Sequence, residues 1–157
     1  MEQIDNKWLF QRVESALKNG QQVKIRLVGQ SMYPFLDEHK DVLTISPKTQ
    51  KKIRVGDTVL AYYNMNHILH RVVSIGKNGL YVLQGDTNLK GQEEVDYKDI
   101  VGILVSIERG SSKTIHCNRL WRVKGTMWVK LRPARKLLLK IFGRMRRIRI
   151  LFKQLYK

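Results

Sequence analysis

Three polar residues in the β-rich part of the chain have the side chains of a nucleophilic catalytic site: Ser31, His70 and Asp86. Ser31 lies on a corner between Gly29 and Pro34, which would hold its hydroxyl in place and leave it reachable. His70 shares an apolar strand face, where an imidazole tends to stay neutral, as a general base must be. Asp86 lies in a strand-ending turn. The order Ser, His, Asp is compatible with a catalytic triad, which is defined by geometry and not by sequence order.

Each of these residues also has a purely structural interpretation. Serine and aspartate are common in turns because their side chains bond to the backbone. A strand histidine can be a core or edge residue with a single hydrogen bond. His67 competes with His70 as a base, but it lies nearer a loop and on the opposite strand face. Spacing alone does not bring the three residues together.

Alternating apolar residues predict a mainly β, antiparallel core after a short helix. The hairpin signal Asn78-Gly79 tolerates the left-handed angles of a type I′ turn. The predicted helix covers residues 5–18, and the predicted strands cover residues 22–28, 41–46, 58–63, 67–75, 80–84 and 100–107.

Charge divides the chain into two regions. The net charge is +17, but residues 1–112 contain 15 Lys and Arg against 13 Asp and Glu. Residues 113–157 contain the other 15 basic residues and no acidic ones. We therefore expect a nearly neutral β domain with an N-terminal helix at 1–112 and a basic amphipathic helical tail at 113–157. Such a tail favours phosphate, in nucleic acid or in anionic lipid headgroups.

An amphipathic basic helix with aromatic residues is typical of segments that lie on an anionic membrane surface. A helix pair packed on the β domain is the structural alternative, and nucleic acid is a third possibility that the broad apolar stripe disfavours. The residues predicted to bind the membrane are Trp121, Trp128, Arg135, Lys136, Arg144, Arg146 and Arg147.

Composition limits the remaining options. The single cysteine, Cys117, excludes an internal disulfide framework, and the few His and Cys residues do not suggest zinc or any other metal. We expect no cofactor. The N-terminus lacks the pattern of a signal peptide, and no apolar run reaches the length of a membrane-spanning helix. The expected location is peripheral on a membrane, and basic segments favour the cytoplasmic leaflet.

Five segments, in order, resemble the signal peptidase I and LexA-like serine peptidase superfamily. Residues 29–34 resemble its Gly-x-Ser-Met-x-Pro box, and residues 55–59 resemble the Gly-Asp-hydrophobic strand. Residues 70–73 resemble the His-Arg-Val box of the endoplasmic-reticulum and archaeal branch, which has histidine where the bacterial branch has lysine. Residues 84–88 resemble that branch's Gly-Asp-Asn box, and residues 99–102 resemble its closing strand.

The resemblance covers residues 22–107 and implies a coiled, barrel-like antiparallel β-sheet with serine endopeptidase activity. It implies that Ser31 attacks the scissile carbonyl and that His70 transfers the proton. Backbone N–H groups near Ser31 would hold the oxyanion, and Met32 and Pro34 would shape the substrate cleft. The substrate would be a leader or propeptide in a precursor protein, bound as an added strand.

The chain departs from the family pattern in three places. The membrane branch of the family usually carries a transmembrane anchor, and we expect none in this sequence; the basic tail is not part of the family core. The position of the family's second acidic residue is Gln92, followed by Glu93 and Glu94. The carboxylate that orients the histidine is therefore open between Asp86, Glu93 and Glu94. The alternative function is a nucleic-acid-binding protein on a non-catalytic β scaffold, which would leave the five segments unexplained.

Overall fold

A computed structural model describes the backbone of residues 6–26, 28–110 and 113–155. The helices are α1 (Asn6–Lys18), α2 (Arg119–Lys130) and α3 (Arg135–Leu155). The strands are β1 (Val23–Arg26), β2 (Asp41–Pro47), β3 (Thr58–Tyr63), β4 (Asn66–Ile75), β5 (Tyr81–Gln84), β6 (Glu93–Val95), β7 (Ile100–Arg109) and β8 (Lys113–His116).

All pairs between these strands are antiparallel, and they form one sheet that curls into a half-barrel. The order along the sheet is β1-β2-β7-β3-β4-β5-β6, and β8 pairs with β7 beside this path. Register shifts bend the strands, since a bulge increases the local twist; they lie at Thr44–Ile45, Leu60–Ala61 and Val72–Ser74. The predicted mainly β fold, with a short N-terminal helix and C-terminal helices, is confirmed.

The sheet buries apolar side chains on both faces. Val59 and Leu60 follow each other in β3 and belong to different core clusters, because side chains alternate along a strand. The cluster on the side of α1 and α2 includes Val13, Leu17, Leu43, Leu60, Leu104 and Trp121. The other cluster includes Val59, Val72, Leu83, Val95 and Ile103.

The C-terminal segment begins as part of the sheet. The predicted boundary at residue 112 precedes β8, which pairs with β7 in the register Ser106↔His116. The helical part follows at α2, whose N-cap Asn118 accepts hydrogen bonds from the backbone N–H groups of Leu120 and Trp121. This cap satisfies two of the N–H groups that a helix start leaves unpaired.

Three residues predicted to bind a membrane lie inside the protein, and the prediction is wrong for them. Trp121, Trp128 and Arg135 are 8%, 5% and 1% exposed. Both indole rings pack against Phe35 with centroids 5.6 Å away. The Arg135 guanidinium donates to Gln84 Oε1 at 3.3 Å and to the Trp128 carbonyl at 3.2 Å. The face of these helices that carries Trp121, Trp128 and Arg135 therefore packs on the β domain, as the structural alternative expected.

The remaining predicted membrane contacts differ from these three. Lys136, Arg144 and Arg147 are exposed, and Arg146 lies outside the residues whose side chains are described. Among the described helices, none combines the length and the apolar character needed to cross a membrane.

Candidate active site

The corner that carries Ser31 is anchored in the core. Ser31 itself is half-buried, whereas Met32 is fully buried and belongs to the cluster beneath α1 and α2. The turn is closed by backbone hydrogen bonds from Tyr33 N–H to the Gln30 carbonyl and from Leu36 N–H to the Met32 carbonyl, both 3.0 Å. The prediction that the Met32 side chain binds substrate is therefore wrong, because the core encloses it; the side chain anchors the corner instead.

The residues around this corner also limit its movement. Gly29 adopts φ +88°, a left-handed angle that favours glycine. Its N–H donates to Glu38 Oε2 at 2.8 Å, and the Gln30 side-chain amide donates to Glu38 Oε1 at 2.7 Å. Pro34 is half-buried. These contacts tie the residues before Ser31 to Glu38.

The turn after β5 lies directly against Ser31. The Thr87 N–H donates to the Ser31 carbonyl at 2.9 Å, and the Thr87 hydroxyl donates to the same oxygen at 3.1 Å. A Cβ atom added at Gly85 would lie 2.9 Å from that carbonyl, closer than real Cβ contacts allow. Glycine at position 85 therefore permits the close approach of the Ser31 corner to the end of β5.

His70 lies where β4 meets the end of β5. The last pair between these strands is Arg71↔Gln84, and His70 and Gly85 each lie one residue beyond it. The pairing therefore brings His70 toward the turn that contacts the Ser31 carbonyl. In the part of the chain that the structure describes, no hydrogen bond joins the Ser31 hydroxyl to the His70 ring. Such bonds are often long in ligand-free sites and shorten when substrate binds.

Glu93 is the carboxylate that contacts His70. His70 Nδ1 donates to Glu93 Oε2 at 3.0 Å, and the His70 side chain is only 9% exposed. The registers Val72↔Leu83 and Leu83↔Glu93 place both residues on the same face of the sheet. With the proton held on Nδ1, Nε2 carries the lone pair that a general base needs.

Glu94, the neighbouring candidate, is exposed and follows Glu93 in β6, so its side chain points to the opposite face. Of the three acids that the sequence left open, Glu93 alone forms a hydrogen bond to His70 among the described residues.

Asp86 has another partner. Its two carboxylate oxygens accept from Arg71 Nε at 2.8 Å and Arg71 Nη2 at 2.6 Å, and both side chains are buried. Burial raises the pKa of Asp86, and the charge of Arg71 opposes that shift. Because Arg71 follows His70 in β4, this pair lies on the face of the sheet opposite the His70 ring. The predicted orienting role of Asp86 is therefore corrected: the carboxylate contact to His70 belongs to Glu93.

The Arg71–Asp86 pair connects the candidate site to the C-terminal helices. Arg71 Nη1 donates to the Gly56 carbonyl at 2.8 Å, and the Trp128 indole N–H donates to the Asp86 carbonyl at 3.1 Å. The Arg71 guanidinium also lies 4.6 Å from the Phe35 ring centroid. The predicted site residues did not include Arg71, although an arginine directly before the apolar pair Val72-Val73 within a strand signals a buried charge partner.

The competing histidine, His67, has a structural contact on the other side of the sheet. Its Nε2 lies 2.7 Å from Glu14 Oε1, and its ring stacks on Phe10 with centroids 4.3 Å apart. These contacts hold α1 against the β3–β4 hairpin. They border an open cavity of about 800 Å³ that Lys18, Lys48 and Tyr62 also line.

Among the described residues, no cluster of three or more His, Cys, Asp or Glu side chains is arranged to hold a metal ion. Comparisons with known proteins add no relative: the chain matches no protein-family model, no curated protein and no solved structure. The resemblance to the signal peptidase superfamily stays a prediction that depends on the five sequence segments.

Proposed function

We propose that this protein is a serine endopeptidase of signal-peptidase-like type that cleaves a leader or propeptide. The observation that carries the proposal is the 3.0 Å contact between His70 Nδ1 and Glu93 Oε2. His70 lies one residue before the last β4–β5 pair, and Gly85, one residue after that pair, packs against the Ser31 carbonyl. A buried histidine with an acid on one ring nitrogen, on strands that lead to a serine corner, has the parts of an activated nucleophile.

The proposed reaction has two stages. Ser31 Oγ attacks the scissile carbonyl while its proton passes to His70 Nε2, and the Glu93 carboxylate stabilises the imidazolium that forms. Backbone N–H groups near Ser31 hold the oxyanion. His70 then donates its proton to the leaving amine, which departs and leaves an ester on Ser31. A water molecule gives a proton to His70 and attacks the ester. His70 returns that proton to Ser31 Oγ as the ester bond breaks, and the released product carries the new carboxyl group.

The proposed location is peripheral, on a membrane surface. The support is charge: residues 113–157 hold 15 basic side chains and no acidic one. Each basic residue near an anionic bilayer contributes about 1 kcal/mol of attraction.

The test is cleavage of a peptide pool, read by mass spectrometry, with matched variants. Ser31→Ala and His70→Ala should each lower cleavage by about 10²-fold or more, because each removes a participant in proton transfer or attack. Ser74→Ala and His116→Ala are the controls, since both side chains are exposed and lie outside the site. Cleavage at the parent rate by either site variant would overturn the proposal.

A further inference from the structure

The C-terminal helices use one face to cover the sheet. On that inner face, Trp128 contacts the Phe142 ring with centroids 6.3 Å apart, and Trp121 and Arg135 are buried beside it. The Tyr33 hydroxyl donates to the Phe142 carbonyl at 3.1 Å, so α3 also packs against the Ser31 corner. The apolar surface on this face is therefore already covered by protein.

A second set of apolar side chains on the same helices stays in solvent. We call this set the outer stripe. Its members are 42% to 64% exposed and recur every three or four residues, so that each helix carries one row, offset by roughly a third of a turn from its buried face. The outer stripe consists of Leu120, Val123, Met127 and Leu131 along α2 and its C-cap, and of Leu137, Ile141 and Met145 on α3.

Exposed basic side chains accompany the outer stripe. They lie on both helices and on the turn between them, and residues 113–157 contain no acidic side chain to pair with them. The exposed ones are Arg119, Lys124, Lys130, Arg132, Lys136, Lys140, Arg144 and Arg147. A surface that exposes rows of large apolar side chains and only positive charge is complementary to one with negative headgroups above hydrocarbon.

We infer that the outer stripe is the surface by which this protein docks on an anionic lipid bilayer, with α2 and α3 lying in the interface. The inference rests on the proposed peripheral location and does not depend on the peptidase chemistry. The inferred membrane contacts are the exposed residues of the outer stripe, in place of the buried Trp121, Trp128 and Arg135. Nucleic acid fits this surface less well, because interfaces with nucleic acid are polar and highly charged and do not require rows of exposed leucine and methionine.

The test measures sedimentation of the full chain with vesicles of phosphatidylcholine, either pure or mixed with phosphatidylglycerol. The Ser31→Ala background is used, so that cleavage plays no part. The protein should bind the mixed vesicles more tightly than the neutral ones, and binding should weaken as salt is added. The double variant Leu137→Gln/Ile141→Gln should bind the mixed vesicles about tenfold or more weakly, because it removes apolar contacts without changing charge.

Met65→Gln is the matched control, because Met65 is 86% exposed and lies in the β3–β4 turn. It should bind as the parent does. Equal binding by the double variant and the parent would overturn the docking surface while leaving the peripheral location intact. Failure of the parent itself to bind mixed vesicles would overturn both. Tighter binding of the parent to duplex DNA than to mixed vesicles at the same salt, unchanged in the double variant, would assign the basic charge to nucleic acid and overturn the inference.

Discussion

At the scale of single residues, two carboxylates near the end of β5 have different partners. Glu93 contacts the imidazole of His70, and Asp86 neutralises the buried Arg71 on the opposite face. Neighbouring positions in β4 account for this division, since successive side chains point to opposite faces of a strand.

The sequence predicts Ser31 and His70 as catalytic candidates and leaves the acid open between Asp86, Glu93 and Glu94. The choice depends on the register of β6 against β5, and β6 is only three residues long. A strand that short has no recognisable alternation, so the sequence pattern predicted neither β6 nor the face on which Glu93 lies. Asp86 was favoured because it belongs to a recognisable segment, although its partner is Arg71.

The structural role of Asp86 leads to a prediction about stability. Asp86→Asn should lower the free energy of unfolding by about 3–5 kcal/mol, because it leaves the buried Arg71 guanidinium without its counter-charge. Glu94→Gln, on an exposed side chain, should change it by less than about 0.5 kcal/mol. Urea unfolding followed by tryptophan fluorescence provides the measurement. Similar stabilities for the two variants would show that the Arg71–Asp86 pair does not support the fold.

At the scale of elements, α2 and α3 were predictable as helices but their orientation was not. Both have apolar side chains on more than one side, so the periodicity does not say which row is buried. Two turns make that selection, since Phe35 and the Asp86 carbonyl offer partners to the two indole rings of α2. Trp121 and Trp128, which the sequence predicts to contact a membrane, are consequently core residues. The exposed row consists of Leu, Val, Ile and Met side chains.

A substitution at Trp128 should measure how much the hydrogen bond between α2 and the turn after β5 contributes to stability. Trp128→Phe removes the buried N–H that donates to the Asp86 carbonyl at 3.1 Å. We expect a loss of about 1–3 kcal/mol in the free energy of unfolding, the cost of leaving a buried polar group unpaired. Trp8→Phe is the control, because Trp8 is 53% exposed. Equal stability of the two variants in thermal unfolding would contradict this contact.

At the scale of the whole molecule, the helices after β8 complete the core of the sheet that carries the candidate site. Charge composition separated residues 113–157 from the rest, yet β8 extends the sheet and α2 covers one of its faces. The composition of a segment counts all of its residues and does not reveal which of them are buried. The predicted division into a neutral domain and a basic tail therefore describes only the distribution of charge. The helices pack together with the sheet as one unit.

The single cysteine lies at the junction between β8 and α2, and it can report on this packed unit. Cys117 is buried, and burial raises the pKa of its thiol to about 12. Because the thiolate is the reactive form, the folded protein should resist alkylation at pH 8, and denaturant should release rapid modification. The mass of the protein after treatment with iodoacetamide gives the result. Rapid alkylation without denaturant would mean that α2 does not stay packed over this site.

The central claim is that His70, oriented by Glu93, activates Ser31, and the rate at which a fluorophosphonate modifies Ser31 tests it most directly. Peptide mapping by mass spectrometry would locate and time the adduct in the parent and in two matched variants, Glu93→Gln and Glu94→Gln. The account predicts modification at Ser31, slowed about 10²-fold or more by Glu93→Gln and unchanged by Glu94→Gln. An unmodified Ser31 in the parent, or equal rates in the two variants, would contradict it.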